Sequence, residues 1–188
     1  MRFTDINKII KIEVCKMKTM LEHLSQYAFY HQDRRNVATH FVGIPMIVVG
    51  IAVLMSRPHF TLLDIVFTPA LIIALASSVF YVRLNKMIGI VMTILLALII
   101  GFAEFVAVQS TFVWLITGIG LFVVGWIFQF VGHYFEGKKP AFLDDITGLI
   151  IGPLFVFVEL LFLLGLKRDW QQAIERSCEK QNKAENSK

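Results

Sequence analysis

The sequence predicts an all-α integral membrane protein, a helical bundle with four or five hydrophobic helices preceded by an amphipathic helix. The first observation is composition, since 56% of the 188 residues are apolar and only 17% are charged. The second is that the apolar residues form five long runs, each close to the ~20 residues that a membrane-spanning helix needs. The third is that the charged residues gather at the two ends and in short loops. Together these features are typical of one membrane domain.

Residues 1–36 are expected to form an amphipathic arm on the cytoplasmic side. Apolar residues recur in it at helical spacing from Ile6 to Ala28, which predicts a helix lying along the membrane surface. Acidic residues are mixed with Lys and Arg throughout the arm, so we do not expect a cleavable signal or targeting leader. Residues 32–36 are all polar. They predict a break before the next helix, with Asp33 or Asn36 capping that helix.

Residues 37–166 are expected to form the transmembrane bundle that carries the site, and residues 167–188 a polar cytoplasmic tail. Within the tail, we expect Glu175 to Lys188 to be helical only in its first turns. The apolar runs of the bundle cover Val37 to Met55, Thr61 to Tyr81, Met87 to Val108, Thr111 to Val131 and Ile146 to Leu166. The fifth run contains Gly152 and Pro153, which suit a broken or re-entrant segment shielded by protein.

The distribution of Lys and Arg favours four crossings with both termini in the cytoplasm. Seven of the 18 basic residues lie in residues 1–36 and six in residues 167–188, and positive segments remain on the cytoplasmic side. Five full crossings would export the tail, so we expect the fifth run not to cross. The alternative is that the first run, broken at Gly43 and Pro45, dips and returns. A bacterial inner membrane is favoured, or the endoplasmic reticulum membrane in a eukaryote.

Three of the five histidines are expected at one membrane surface. His31 and His40 lie at the entrance of the first apolar run and His133 at the exit of the fourth, whereas His59 lies at the opposite face. His31 and His40 are nine residues apart, about 180° around a continuous helix. Both can face one ion only if the helix breaks between them, as the polar residues there predict. The three histidines are therefore candidate metal ligands.

Other polar residues are expected beside these histidines. Gln129, His133 and Glu136 share one helix face, because they are separated by four and three residues, and Asn36 shares a face with His40. Asn36 and Glu136 are the candidate catalytic residues. The candidates for binding substrate or orienting the imidazoles are Tyr27, Arg34, Arg35, Gln129, Lys138, Lys139 and Asp144. For the basic residues, membrane topology is the simplest explanation.

Several other chemistries find no support in the sequence. The two cysteines, Cys15 and Cys178, have neither disulfide-framework nor zinc-finger spacing. There is no phosphate-binding glycine loop after a strand and no nucleophile elbow. The net charge of +4 reflects membrane orientation, so we expect no nucleic-acid partner.

Two motifs resemble a known family. YAFYHQDRRNVATHFVGIP (Tyr27 to Pro45) and GWIFQFVGHYFEGKKPAFLDD (Gly125 to Asp145), followed by an apolar segment with Gly-Pro-Leu-Phe, resemble the membrane-embedded 2-hydroxy fatty acid dioxygenases. That family was first recognised in the fungal pathway from phytosphingosine to odd-numbered fatty acids, and it has bacterial members. The resemblance extends from about Leu21 to Leu166.

The resemblance implies an iron(II)-dependent enzyme of fatty acid α-oxidation, in which His31, His40 and His133 are essential. It implies a long-chain 2-hydroxy fatty acid and O2 as substrates, the lipid bilayer as surroundings, and the fatty acid one carbon shorter as product. The leading alternative is a non-catalytic membrane transporter or lipid-binding scaffold with a structural zinc. A di-iron hydroxylase ranks lowest, since it would need more histidines than the five present.

Overall fold

The computed structural model describes residues 18–62, 64–137 and 147–186. Their elements, in chain order, are α1 (Met20–Phe29), α2 (Arg34–Ser56), β1 (Phe60–Leu62), β2 (Ile65–Phe67), α3 (Pro69–Leu84), α4 (Lys86–Ala107), α5 (Thr111–Glu136), α6 (Thr147–Leu163) and α7 (Arg168–Asn186). Within these ranges, α2, α4 and α5 are long and apolar enough to cross a membrane. The predicted all-α membrane bundle is confirmed.

The break between α1 and α2 is the one that the polar residues predicted. A capping box begins α1, since Thr19 accepts from the Glu22 N–H and the Glu22 carboxylate accepts from the Thr19 N–H. After Phe29 the chain turns, and the Asp33 carboxylate accepts from the Arg35 N–H at 2.8 Å to cap α2. Helix α2 then continues to Ser56.

Two expected breaks are absent, because both prolines lie inside continuous helices. Pro45 is in the interior of α2 and Pro153 in the interior of α6. A membrane helix tolerates an interior proline when its neighbours satisfy the freed backbone groups. The expectation of a break at either site is therefore wrong. The sharp bend comes after α6 instead, where α6 and α7 meet at 119°; Gly165 and Lys167 there have φ of 74° and 54°.

The second apolar run is not one helix, which corrects the prediction of a segment starting at Thr61. β1 and β2 form an antiparallel hairpin in which Phe60 pairs with Phe67, and Asp64 has a positive φ of 60°. Helix α3 begins only at Pro69, whose missing N–H costs nothing at a first helical position. At 16 residues, α3 is shorter than a full span.

The polar tail is helical as far as Asn186, so the expectation of fraying after the first turns is wrong. Ile174 of α7 is 5% exposed and belongs to the core that includes Leu24 of α1 and Phe155 of α6. The Cys178 thiol lies 3.8 Å from the Ser25 carbonyl oxygen. Burial of one face against α1 thus supplies the stability that the tail's own sequence does not.

Helices α2 and α5 pack through glycines spaced by seven residues. These are Gly43 and Gly50 on α2, and Gly118, Gly125 and Gly132 on α5. A Cβ atom on Gly125 would lie 2.8 Å from the Gly43 carbonyl oxygen, and one on Gly50 would lie 2.8 Å from the Phe122 nitrogen. Small residues at this crossing allow the two backbones to touch, as membrane helix pairs commonly do. The contact fixes the position of one helix against the other.

Candidate metal centre

The three predicted histidines converge in the described part of the chain. His31 lies in the turn between α1 and α2, His40 in the second turn of α2, and His133 in the last turn of α5. One ring nitrogen from each lies within 4.8 Å of the other two, and all three side chains are buried. The ring centroids are 4.5 Å apart for His31 and His40, and 5.1 Å for each pair with His133.

Backbone carbonyls fix the tautomers of two of these rings. The Nδ1 atom of His31 lies 2.7 Å from the Tyr27 carbonyl oxygen, and that of His40 lies 2.8 Å from the Asn36 carbonyl oxygen. Since a carbonyl oxygen only accepts, each Nδ1 carries the proton and donates it. The neutral rings then present lone pairs on their Nε2 atoms, which face each other at 3.1 Å. Facing lone pairs repel unless a cation lies between them, so the donor set suits a metal ion.

The electrostatics of His31 agree with a ligand role. Burial, followed by the neighbouring His40 ring, lowers the pKa of His31 well below its ordinary value. The imidazole therefore stays neutral at physiological pH, which is the form that binds metal ions.

Two further residues beside the cluster carry buried polar atoms. His133 Nδ1 and Gln129 Nε2 are buried and have no hydrogen-bond partner among the described residues. Leaving a buried polar atom unpaired costs about 1–3 kcal/mol, so such atoms are expected to serve a ligand. Both residues are on the face of α5 that the four-residue spacing predicted.

These polar groups lie at one end of an apolar pocket with a volume of about 310 Å³. We call it the histidine pocket; it is lined by Tyr27, His31, His40, Ile44, Ile47, Val48, Ile51, Phe122, Trp126, Gln129, His133, Gly148, Leu149, Gly152 and Pro153. The Tyr27 ring stacks on His31 with the centroids 4.1 Å apart. Burial raises the pKa of the Tyr27 hydroxyl, so the hydroxyl keeps its proton and remains a hydrogen-bond donor.

Glu136 and Asn36, the two candidate catalytic residues, lie behind the histidines and do not line this pocket. The Glu136 carboxylate accepts from the Gln32 N–H at 2.9 Å, the Asp33 N–H at 2.8 Å and the Asn36 amide at 2.9 Å. It therefore ties the end of α5 to the turn that carries His31. Asn36 is fully buried and supplies the carbonyl that orients His40.

Arg34 and Arg35, the predicted basic residues that the structure describes, do not line the histidine pocket. Arg35 pairs with Asp33 at 2.7 Å and lies 4.5 Å above the Phe135 ring; this pairing lowers the pKa of the Asp33 carboxyl to about 2. Arg34 is exposed. His59 is exposed and beside the Arg57 carbonyl, away from the cluster. Lys138, Lys139 and Asp144 lie outside the described residues.

Sequence reasoning missed the contribution of α6 and of the glycines. Gly152 lets α6 approach the pocket, since a Cβ atom there would lie 3.2 Å from the Tyr27 hydroxyl. The seven-residue glycine spacing on α2 and α5 is legible in the sequence and would have predicted that these two helices pair. No comparable signal marks Gly148 or Leu149 as pocket residues.

The chain is similar to known proteins over most of its length. A family model described as 2-hydroxy-palmitic acid dioxygenase Mpo1-like matches residues 17–164. The curated 2-hydroxy-palmitic acid dioxygenase MPO1 of Saccharomyces cerevisiae is 31% identical over 160 residues, which cover 83% of this chain and 87% of that relative. No solved structure matches the chain. The region matched by the family model contains all three histidines of the cluster.

Proposed function

This chain belongs to the 2-hydroxy-palmitic acid dioxygenase Mpo1-like family, and from that premise we propose that it is an iron(II)-dependent dioxygenase of fatty acid α-oxidation. The observation that carries the proposal is the buried cluster of three histidine nitrogens at the end of an apolar pocket. The substrate would be a long-chain 2-hydroxy fatty acid, and the product the fatty acid one carbon shorter.

His31, His40 and His133 would hold the iron. Neutral imidazole is a suitable ligand for iron(II), and a site with three protein ligands leaves positions open for small molecules. Iron(II), when bound, supplies the activation of O2. The carbonyls of Tyr27 and Asn36 hold the rings of His31 and His40 in the tautomer that ligation requires.

The substrate head group would lie at the histidine end of the pocket and the acyl chain along its apolar walls. The Gln129 amide and the Tyr27 hydroxyl belong to residues of the lining and would donate hydrogen bonds to the carboxylate or the 2-hydroxyl. Arg34 and Arg35 are less suited to this role than the sequence suggested, since neither lines the pocket. Lys138, Lys139 and Asp144 remain predictions for the same surface.

Asn36 and Glu136 would act as positioning residues. Glu136 holds the turn that presents His31, and Asn36 joins Glu136 to His40. Outer partners of this kind commonly set the affinity of a metal site.

The overall reaction balances without a further co-reactant. The bond between C1 and C2 of the 2-hydroxy acid breaks, and the products are the shorter acid, carbon dioxide and water. The substrate supplies all four electrons that reduce O2. Neither 2-oxoglutarate nor a nicotinamide is needed. We further propose that both termini and the histidine cluster lie on the cytoplasmic side of the membrane.

The test is a mass-spectrometric assay of anaerobically purified, iron-loaded protein with 2-hydroxypalmitate and O2. We expect the iron-loaded protein to form pentadecanoate, and we expect no pentadecanoate after treatment with a chelator or from the His133→Ala variant. The matched control, His59→Ala, removes an exposed histidine far from the cluster and should keep activity. Failure of the iron-loaded protein to form product would refute the proposal. If zinc were retained instead of iron, the scaffold or transporter alternative would take its place.

A further inference from the structure

We propose that a second apolar pocket holds the far end of the substrate's acyl chain and sets the longest chain that the protein accepts. The inference rests on the proposed function for the identity of the ligand. The second pocket has a volume of about 200 Å³ and lies between α2, α3, α4 and α6. Its lining residues are Val48, Ile51, Ala52, Ala70, Ile73, Ala74, Ser77, Tyr81, Leu96, Ile99, Ile100, Leu149, Ile150 and Pro153.

The second pocket adjoins the histidine pocket. The two share Val48 and Ile51 on α2, and Leu149 and Pro153 on α6. These four residues therefore border both spaces. In the proposed binding mode, an acyl chain that enters beside the histidines passes these residues to reach the second pocket.

The lining of α2 gives the length of this route. His40, Ile44, Val48, Ile51 and Ala52 follow one another at helical spacing on one face, and they line first one pocket and then the other. At 1.5 Å per residue, the distance along the axis from His40 to Ala52 is about 18 Å. This is comparable with the length of an extended acyl chain of palmitate size.

The chemistry of the second pocket suits a methyl terminus. Its walls are almost entirely apolar, and the Tyr81 hydroxyl donates to the Ile150 carbonyl oxygen at 2.6 Å. That hydroxyl is therefore occupied, and the residue presents its ring. On α3, the small side chains of Ala70, Ala74 and Ser77 follow at intervals of four and three residues on the face that borders the pocket. Their small size leaves the space that a chain would fill.

The expected effect follows from the burial of methylene groups. Relative to the free acid in water, each methylene group that is buried in the pocket raises the affinity of the protein for the acid about fourfold. A side chain that displaced three methylenes would weaken binding by about 60-fold. Acids too short to reach the second pocket would be unaffected.

The experiment compares Ala74→Phe with Ala76→Phe. Ala74 borders the second pocket, whereas Ala76 is on the same helix and exposed, so the second variant is a matched control. For both variants and the unmodified protein, binding of 2-hydroxyoctanoate, 2-hydroxypalmitate and 2-hydroxystearate is measured by calorimetry, and turnover is measured by mass spectrometry. Ile99→Ala, which enlarges the same pocket, is measured as well, because its effect on chain-length preference should be opposite to that of Ala74→Phe.

We expect Ala74→Phe to weaken binding of the two longer acids at least tenfold and to leave that of 2-hydroxyoctanoate within twofold. Ala76→Phe should change neither, and Ile99→Ala should shift the preference toward 2-hydroxystearate. Unchanged chain-length profiles in both Ala74→Phe and Ile99→Ala would overturn the inference. If Ala74→Phe does not fold, the chain-length profile of Ile99→Ala alone tests the inference. Chain-dependent binding without oxidation by any of the proteins would refute the proposed function and still support the second pocket.

Discussion

Glu136 provides the sharpest test of how the candidate site is held together, through the substitution Glu136→Gln. One carboxylate oxygen accepts a hydrogen bond from the Gln32 N–H, and the other accepts from both the Asp33 N–H and the Asn36 side-chain amide. A glutamine side chain offers one oxygen and one NH₂ group. At best, two of the three hydrogen bonds survive in neutral form, and the third donor faces the new NH₂ group.

The magnitude follows from these three bonds. Hydrogen bonds to charged groups contribute about 1.5–3 kcal/mol and neutral ones about 0.5–1.5, so weakening two bonds costs about 2 kcal/mol. The lost bond adds about 1 kcal/mol at most, because Gln32 is exposed and water can replace the partner. The turn that holds His31 is therefore destabilised by about 2–3 kcal/mol. That corresponds to iron binding weakened by roughly 30- to 150-fold, which overlaps the roughly 10- to 100-fold effect of losing an outer partner of a metal ligand.

The measurement is iron(II) affinity by anaerobic competition with a chelator of known affinity, followed by turnover at saturating iron. We expect weaker iron binding in Glu136→Gln, with most of the activity restored when iron is in excess. The matched control is Glu104→Gln, the same chemical change at an exposed residue of α4 whose carboxylate lies 3.5 Å from the Thr68 hydroxyl. Iron affinity in Glu136→Gln equal to that of the control would refute the reasoning. Turnover that stayed low at saturating iron would show that Glu136 takes part in the reaction itself.

Gly125→Ala should lower thermal stability and iron affinity, because overpacking at a backbone contact costs about 1–3 kcal/mol. The control is Gly120→Ala, where no atom lies within 4 Å of the new Cβ. It should be neutral or slightly stabilising in a thermal-shift assay. His40→Ala should lose iron from the purified protein by metal analysis and His59→Ala should not; equal iron content would remove His40 from the ligand set. Tyr27→Phe keeps the ring that stacks on His31 but removes the hydroxyl. It should therefore raise KM for the 2-hydroxy acid and leave the iron content unchanged. An unchanged KM would contradict the proposed contact between the hydroxyl and the substrate.

The membrane helices were predictable because hydropathy and length alone define them. The predicted runs 87–108 and 111–131 differ from α4 and α5 by only a few residues at most ends. The hairpin at Phe60–Phe67 was not predictable on this basis, since its residues are as apolar as those of the helix that follows. Only Asp64 and Pro69 interrupt the apolar pattern. In the structure, Asp64 lies in the turn between β1 and β2, and Pro69 is the first residue of α3.

The positions of the histidines were predictable because they depend on one local event, the helix break at residues 30–33. The roles of the residues around them were not. Glu136 was predicted as catalytic from its helix face, but its partners include two backbone N–H groups that a sequence pattern does not specify. Pro45 and Pro153 were misjudged for a similar reason, since a neighbouring helix decides whether a proline interrupts a membrane helix.

The two parts of the candidate site differ in how firmly the fold holds them. His40 and His133 are carried by α2 and α5, whose backbones touch through the glycines from Gly43 to Gly132, so their separation is set by the packing of the bundle. His31 belongs to a turn, and it is held by stacking on Tyr27 and by the bonds of Glu136 to the neighbouring residues. Because Glu136 is itself three residues beyond His133, α5 supplies both a ligand and the group that positions the ligand from the turn. The glycine contact and the Glu136 carboxylate therefore both fix the relative positions of the three ligand nitrogens. For this reason we expect a change at either to lower metal affinity although neither is a ligand.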